Sequence, residues 1–237
     1  MCKKIKIGLI GGMSYHSTLD YYWIINEEVN KVRGGFRCAN LLISSVDFAP
    51  IEGLMRQGDW SKIVDLLTIE AKRLEAAGAT HLVMCTNTMH KIVSEIEKQI
   101  SIKFIHIVDA TAEKLLEDGV KKVALLGTRF VMQEDFYKKR LEGKFGIEVV
   151  VPDEDGIKAI DNVIFNELCK GKVCSGSRNI FAQNIDSNVD AVILGCTEIV
   201  ELFRDAIWIG LSNGNCIPLY DTTGIHAKAV ANLILKN

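Results

Sequence analysis

The chain has 237 residues, 48% apolar and 24% charged, the make-up of an ordinary soluble globular protein. A formal net charge of −2 excludes a broad basic surface for nucleic acid. The longest apolar runs, such as "DAVILGC", are strand-length and exclude a membrane-spanning helix.

The start, "MCKKIKIGLIGGMS", pairs basic residues with a short apolar stretch. It reads as a first strand rather than a signal peptide, because a glycine turn follows at once and no small-residue cleavage site does. "SYHSTLDYYWIINEEVNKV" has apolar residues near i, i+3, i+4 and i+7, which predicts a helix that Ser14 or Ser17 can cap. "ANLLISSVDF" is a second strand, and "DWSKIVDLLTIEAKRLEAAG" a long amphipathic helix closed by Gly78. "THLVMC" is a third strand and "MHKIVSEIEKQI" a third helix. "KFIHIVD" is a fourth strand, "ATAEKLLEDG" a helix, and "KKVALLGT" begins the pattern again. Continuous Val/Ile/Leu strands between helices indicate an α/β fold, with a parallel sheet covered on both faces. Only Pro50, Pro152 and Pro218 stand to interrupt these elements.

The pattern repeats itself. "KIKIGLIGGM" (4–13) is echoed by "KKVALLGTRF" (121–130), and "GATHLVMCTNT" (78–88) by "NVDAVILGCTE" (188–198). Gly12 and Gly127 are 115 positions apart, and Thr86 and Cys196 are 110 apart. Two similar α/β halves account for both offsets, the first over 1–117 and 218–237, the second over 118–217. In open α/β sheets ligands bind beyond the carboxyl ends of the strands. The turns "GGMS", "CTNT", "GTR" and "GCTE" are then expected to converge on a cleft between the halves. Backbone N–H groups at helix starts suit a carboxylate, and Asn87, Thr88 and Thr197 add polar side chains.

The seven cysteines are Cys2, Cys38, Cys85, Cys169, Cys174, Cys196 and Cys216. The number is odd, no C-x-x-C occurs and no Cys/His spacing suits zinc, so free thiols in a reducing cytoplasm and no bound metal are expected. Most read as small buried hydrophobes. "GLIGGMS" lacks the full G-x-G-x-x-G spacing of a dinucleotide site. In "VMCTNTMHK" a thiol, Cys85, stands beside a hydroxyl, Thr86. A thiol near pKa ~8.5 can supply a thiolate, whereas a threonine hydroxyl is a poor base unless activated. His90 reads as a site residue or as a helix-start histidine, and His106 as a satisfied histidine at a strand end. Asp221 and His226 in "YDTTGIHA" read as closing the site and orienting Cys196, with capping as the alternative for the Asp and Thr of that segment. Glu198 orients Thr197, meets a substrate ammonium, or simply starts a helix favourably.

Taken together, "GLIGGMS", "SVDFAPIE", "CTNTMHK", "IHIVDAT", "LLGTRF", "LGCTEI" and "PLYDTTGIHA" resemble the cofactor-independent aspartate/glutamate racemases over nearly the whole chain. The resemblance implies two pseudo-symmetric α/β halves with the active site between them. It also implies a homodimer, no pyridoxal phosphate or other cofactor, and one acid/base group from each half. Most of that family carries Cys-Asn-Thr in the first half and Cys-Thr in the second. Here the pattern puts Thr86 in the first catalytic position and Cys196 in the second. Cys85 falls one residue early, where strand alternation turns its side chain away. This looks like the Thr/Cys subgroup tied to L-acidic amino acids. The resemblance assigns proton removal from the L-enantiomer to Cys196 and the D-face to Thr86. The backbone around Met13 and Ser14, with Asn87, Thr88, Thr128, Thr197 and Glu198, is expected to hold the carboxylates and ammonium of aspartate or glutamate. Two other readings stand beside it: a malonate-type decarboxylase of the same superfamily using the single thiol Cys196, and a non-catalytic amino-acid-binding protein.

Overall fold

The computed structural model describes residues 5–174, 176–203, 206–211, 214 and 216–236, so Cys2 lies outside the described residues. The chain forms two compact units, Met1–Ile107 with His226–Asn237, and Val108–Ile225.

The first unit contains a parallel sheet of β1 (Ile7–Gly11), β2 (Leu41–Ser45), β3 (His81–Met84) and β4 (Lys103–Phe104), in the order β2-β1-β3-β4. The second unit's strands are β5 (Lys122–Gly127), β6 (Glu148–Val150), β7 (Ala191–Gly195), β8 (Trp208–Gly210) and β9 (Cys216–Asp221). Their order is β6-β5-β7-β9-β8, parallel except where β8 runs against β9. The order 2-1-3-4 recurs as 6-5-7-9, so the echoed segments occupy equivalent strands, β1 with β5 and β3 with β7. Every residue of β1 and β7 is buried, as expected of central strands covered by helices on both faces.

Around the first sheet lie α1 (Tyr15–Arg33), α2 (Phe48–Gln57), α3 (Trp60–Ala76) and the short α4 (Val93–Glu97). In α1, residues Ser17, Thr18, Tyr21, Ile25 and Val29 form the buried stripe, spaced at the helical period. Tyr21, Ile25 and Val29 pack with Ile7, Leu9 and Cys85 of the sheet and with Ala227, Val230 and Ala231. Each large apolar side chain so buried is worth about 1.5–3 kcal/mol. The second unit carries α5 (Ile107–Glu117), α6 (Arg129–Gln133), α7 (Asp135–Phe145), α8 (Glu154–Asn166) and α9 (Ser177–Gln183). The last helix, α10 (Thr222–Leu235), begins there and continues into the first unit from His226.

The structure departs from expectation at several places. Strand β9, expected with the first half from residue 218, hydrogen-bonds to β7 and lies in the second unit. Residues 108–117, also expected with the first half, belong to the second unit as the body of α5. The segment after Val46, expected as strand, is the helix α2, because the Asp47 side chain accepts from Ala49 N at 3.2 Å and caps it. The fourth strand of the first sheet stops at Phe104, and α5 starts already at Ile107. Ser14 occupies the N-cap of α1, but its side chain makes no capping bond, and Ser17 lies inside the helix.

Candidate active site

In the first unit the sequence-predicted residues sit beyond the carboxyl ends of β1 and β3, neighbours paired in register with Ile10 opposite Met84. The turn after β1 needs two glycines. A Cβ on Gly11 would stand 2.4 Å from Thr18 Cγ2, and Gly12 has φ +92° with Val46 O 2.1 Å from where its Cβ would be. The start of α1 then locks the turn. Thr18 Oγ1 accepts from Gly12 N at 2.8 Å and donates to the Ser14 carbonyl at 2.9 Å. The Ser17 hydroxyl lies 3.0 Å from the Ser14 carbonyl and 3.2 Å from that of Cys85, so it joins the Met13–Ser14 turn to the end of β3. Sequence reading considered Ser17 only as a cap. A Ser-Thr pair three and four residues after Ser14 was the available signal.

Cys85 and Thr86 part company at the end of β3. Cys85 N donates to Ile10 O at 2.9 Å, continuing the sheet pairing, and its thiol is 0% exposed within the apolar core. Burial pushes that thiol far above its ordinary pKa, so it is a core hydrophobe. Thr86 retains 8% exposure, and Asn87 and Thr88 follow it, buried, into a 3-10 turn at Thr88–Ile92.

The histidines near this turn are interior groups. His226 Nδ1 lies 2.7 Å from Tyr21 Oη, and its Nε2 3.0 Å from Ile105 O. The carbonyl only accepts, so Nε2 carries the hydrogen and Nδ1 accepts from the tyrosine. Full burial lowers the His226 pKa to about 4. Both nitrogens are committed within the first unit, which rules out the expected part for His226 in orienting Cys196. His106, between β4 and α5, stacks edge-on to His90 with ring centroids 4.6 Å apart.

In the second unit the predicted residues lie beyond β5 and β7, paired with Gly127 opposite Gly195. A Cβ on Gly195 would come within 2.9 Å of Leu126 O, so only glycine lets the strands approach here. Thr128 caps the short α6 by accepting from Val131 N at 3.4 Å. Thr222 Oγ1 donates to Leu194 O at 2.8 Å and steadies the end of β7. Asp221 accepts from Thr223 N at 2.9 Å and Gly224 N at 3.0 Å, the capping role that was its alternative reading.

Cys196, Thr197 and Glu198 form one hydrogen-bonded group. The Cys196 thiol donates to Glu198 Oε2 at 3.2 Å, and Thr197 Oγ1 donates to the same oxygen at 2.7 Å. Burial first, then the Glu198 charge, raises the Cys196 pKa well above the ordinary thiol value. The segment that follows Glu198, read from the sequence as a candidate helix start, is a 3-10 segment, Ile199–Phe203, too short for a strong dipole. The polar device at this thiol is therefore the carboxylate. Among the described residues, no group of three His, Cys, Asp or Glu is placed to hold a metal ion, and no helix is long and apolar enough to cross a membrane.

Residues 10–230 match the family model of the Asp/Glu/hydantoin racemases. The chain belongs to that family. It is similar to the broad specificity amino-acid racemase RacX of Bacillus subtilis (strain 168), at 22% identity over 233 residues, 97% of this chain and 98% of that protein. Among solved structures it is similar to a Yersinia pestis protein with a provisional assignment as an Asp/Glu racemase, with 41% identity, TM-score 0.86, and 98% and 99% of the two chains covered. An aspartate racemase homologue from Pyrococcus horikoshii OT3 superposes with TM-score 0.78 at 31% identity, covering 97% and 99%. Family membership makes this chain an amino-acid racemase, an isomerase. Of the two proposed acid/base residues, Thr86 belongs to the first unit and Cys196 to the second.

Proposed function

We propose that this racemase acts on an acidic amino acid, aspartate or glutamate, with a preference for the L-form, by two-base proton transfer without a cofactor. The observation that carries the reading is the Cys196 thiol donating to Glu198 Oε2. A buried thiol with a raised pKa is not a standing base. It becomes one when the neighbouring carboxylate takes its proton. Cys196 as thiolate then removes the α-proton from the L-face, becoming a thiol again. The resulting carbanion is protonated on the opposite face from the Thr86 hydroxyl; Thr86 recovers its proton from solvent, and Glu198 releases to solvent the one it took from Cys196. Met13, Ser14, Asn87, Thr88, Thr128 and Thr197 are proposed to hold the substrate's charged groups.

Seclusion of Cys85 in the core leaves Cys196 as the one thiol in the proposed pair. A decarboxylase of substituted malonates, the reading that a lone second-half thiol also allowed, gives way to the amino-acid racemase that family membership shows. Incubation with L-Asp, L-Glu and their D-forms, read by chiral chromatography, tests the proposal of an acidic substrate. Inversion of neither amino acid by the folded protein would overturn it.

A further inference from the structure

His90 is fully enclosed, and both of its ring nitrogens are occupied. Nδ1 lies 2.8 Å from the Thr86 carbonyl, and Nε2 lies 3.2 Å from Ile107 N, the first residue of α5. The backbone N–H can only donate, so Nε2 is an unprotonated acceptor. Nδ1 then carries the ring hydrogen and donates it to Thr86. This is the opposite tautomer from His226, whose hydrogen sits on Nε2. His90 N also donates to Asn87 O at 3.0 Å, so the ring and backbone of one residue close the turn containing Thr86 and Asn87.

From this geometry we infer that His90 is a positioning residue: its Nδ1–H fixes the Thr86 peptide, and so sets where the Thr86 hydroxyl points. The inference deepens the proposed racemisation and rests on Thr86 taking part in it. Its two bonds have separable purposes. The Thr86 bond serves the reaction, and the Ile107 bond anchors the ring by satisfying an N–H at the start of a helix. Burial, with His106 and His226 close by, keeps the ring in the neutral form the two bonds require.

Two amide variants separate these purposes. His90→Asn offers a side-chain N–H near the position of Nδ1 and leaves the Nε2 position empty. His90→Gln offers an acceptor near Nε2 and leaves the Thr86 carbonyl without its donor. The expected result is that His90→Asn keeps kcat for racemisation within about threefold of wild type, while His90→Gln loses about tenfold or more, the scale of one lost hydrogen bond. KM should change less than about twofold in both, since the Thr86 peptide bond is asked to act on the transition state. Solvent deuterium should still enter L-substrate in His90→Gln, because that exchange runs through Cys196. A purely structural His90 would instead lower exchange and racemisation together, and by the same factor in both variants, which would overturn the inference. The tautomer is read independently of activity from 15N spectra of histidine-labelled wild type. A hydrogen on Nδ1 of His90 supports the arrangement, and one on Nε2 refutes it. If wild type neither racemises nor exchanges acidic amino acids, the proposed function fails, and the tautomer still decides whether His90 holds the Thr86 peptide.

Discussion

Cys196 presents its thiol to Glu198, with 3.2 Å between Sγ and Oε2. The same carboxylate oxygen accepts from Thr197 Oγ1. Such an acceptor can take the thiol proton, yet its negative charge also opposes thiolate formation. Glu198→Gln removes both effects. The expected outcome is a loss of about 10²-fold in kcat, with alkylation of Cys196 by iodoacetamide shifting to lower pH. An unchanged kcat would show that Glu198 takes no proton from Cys196.

Cys85→Ala should leave racemisation nearly intact, whereas Cys196→Ala should abolish it. The wholly buried Cys85 packs with Ile7, Leu9 and Val83, so its removal leaves a small void. A stability loss of about 1–2 kcal/mol is expected, measured by urea unfolding. Inactivation of a folded Cys85→Ala protein would overturn the placement of Thr86 in the first catalytic position.

Thr86 and Cys196 are unequal acids. In deuterated water, L-substrate should gain α-deuterium faster than D-product forms, because the carbanion is often reprotonated from Cys196 after its proton has exchanged with solvent. Thr86→Cys supplies a second acid with an ordinary pKa of about 8.5 and should narrow that gap. Equal rates of labelling and inversion in wild type, unaltered by Thr86→Cys, would remove Thr86 as the slower partner. Mass spectrometry combined with chiral separation gives both rates.

His226 is held neutral between Tyr21 and Ile105, with its pKa lowered to about 4. In the unfolded chain it titrates near 6.5, so between those values the unfolded state binds the extra proton. Stability is therefore full above pH ~6.5 and falls as pH drops toward 4, by about 3 kcal/mol for this residue. Urea midpoints taken from pH 7 to pH 4 should show the decline. His226→Gln should flatten it relative to wild type, and an equally steep decline in that variant would assign the effect elsewhere.

Much of the fold was legible because central strands announce themselves. The runs "IGLIG" and "AVILG" are wholly buried as β1 and β7, and the echoes of β1 in β5 and of β3 in β7 correspond to one strand order used twice. Helix α2 was missed because its capping signal, Asp47, stands directly after an apolar strand, and Phe48 and Ala49 suited either state. At the site, the register separating Cys85 from Thr86 could be read from strand alternation. The commitments of His90 and His226 could not. Their partners are backbone atoms of Thr86, Ile105 and Ile107 and the hydroxyl of Tyr21, and which carbonyl or hydroxyl meets a ring nitrogen is settled by tertiary packing. The Glu198 contact lay within two residues of Cys196, but the sequence left a choice between side-chain partner and helix-start charge.

Helix α10 crosses from the second unit into the first, where Ala227, Val230 and Ala231 lie in the same core as Leu9 and Tyr21. Leu9 and Ala227 are 218 positions apart in the chain. During synthesis the first unit thus leaves the ribosome early and stays unfinished, with one side of β1 and α1 uncovered until the whole second unit has been made. Contacts of such long sequence separation slow folding and leave apolar surface open to misassembly in the interval. A nascent chain stalled before residue 226 should be protease-sensitive across β1 and α1, and release of the remaining segment should protect them. The first unit, cut at the end of its own sheet, lacks the part of its core that α10 supplies, so its folding waits on synthesis of the second.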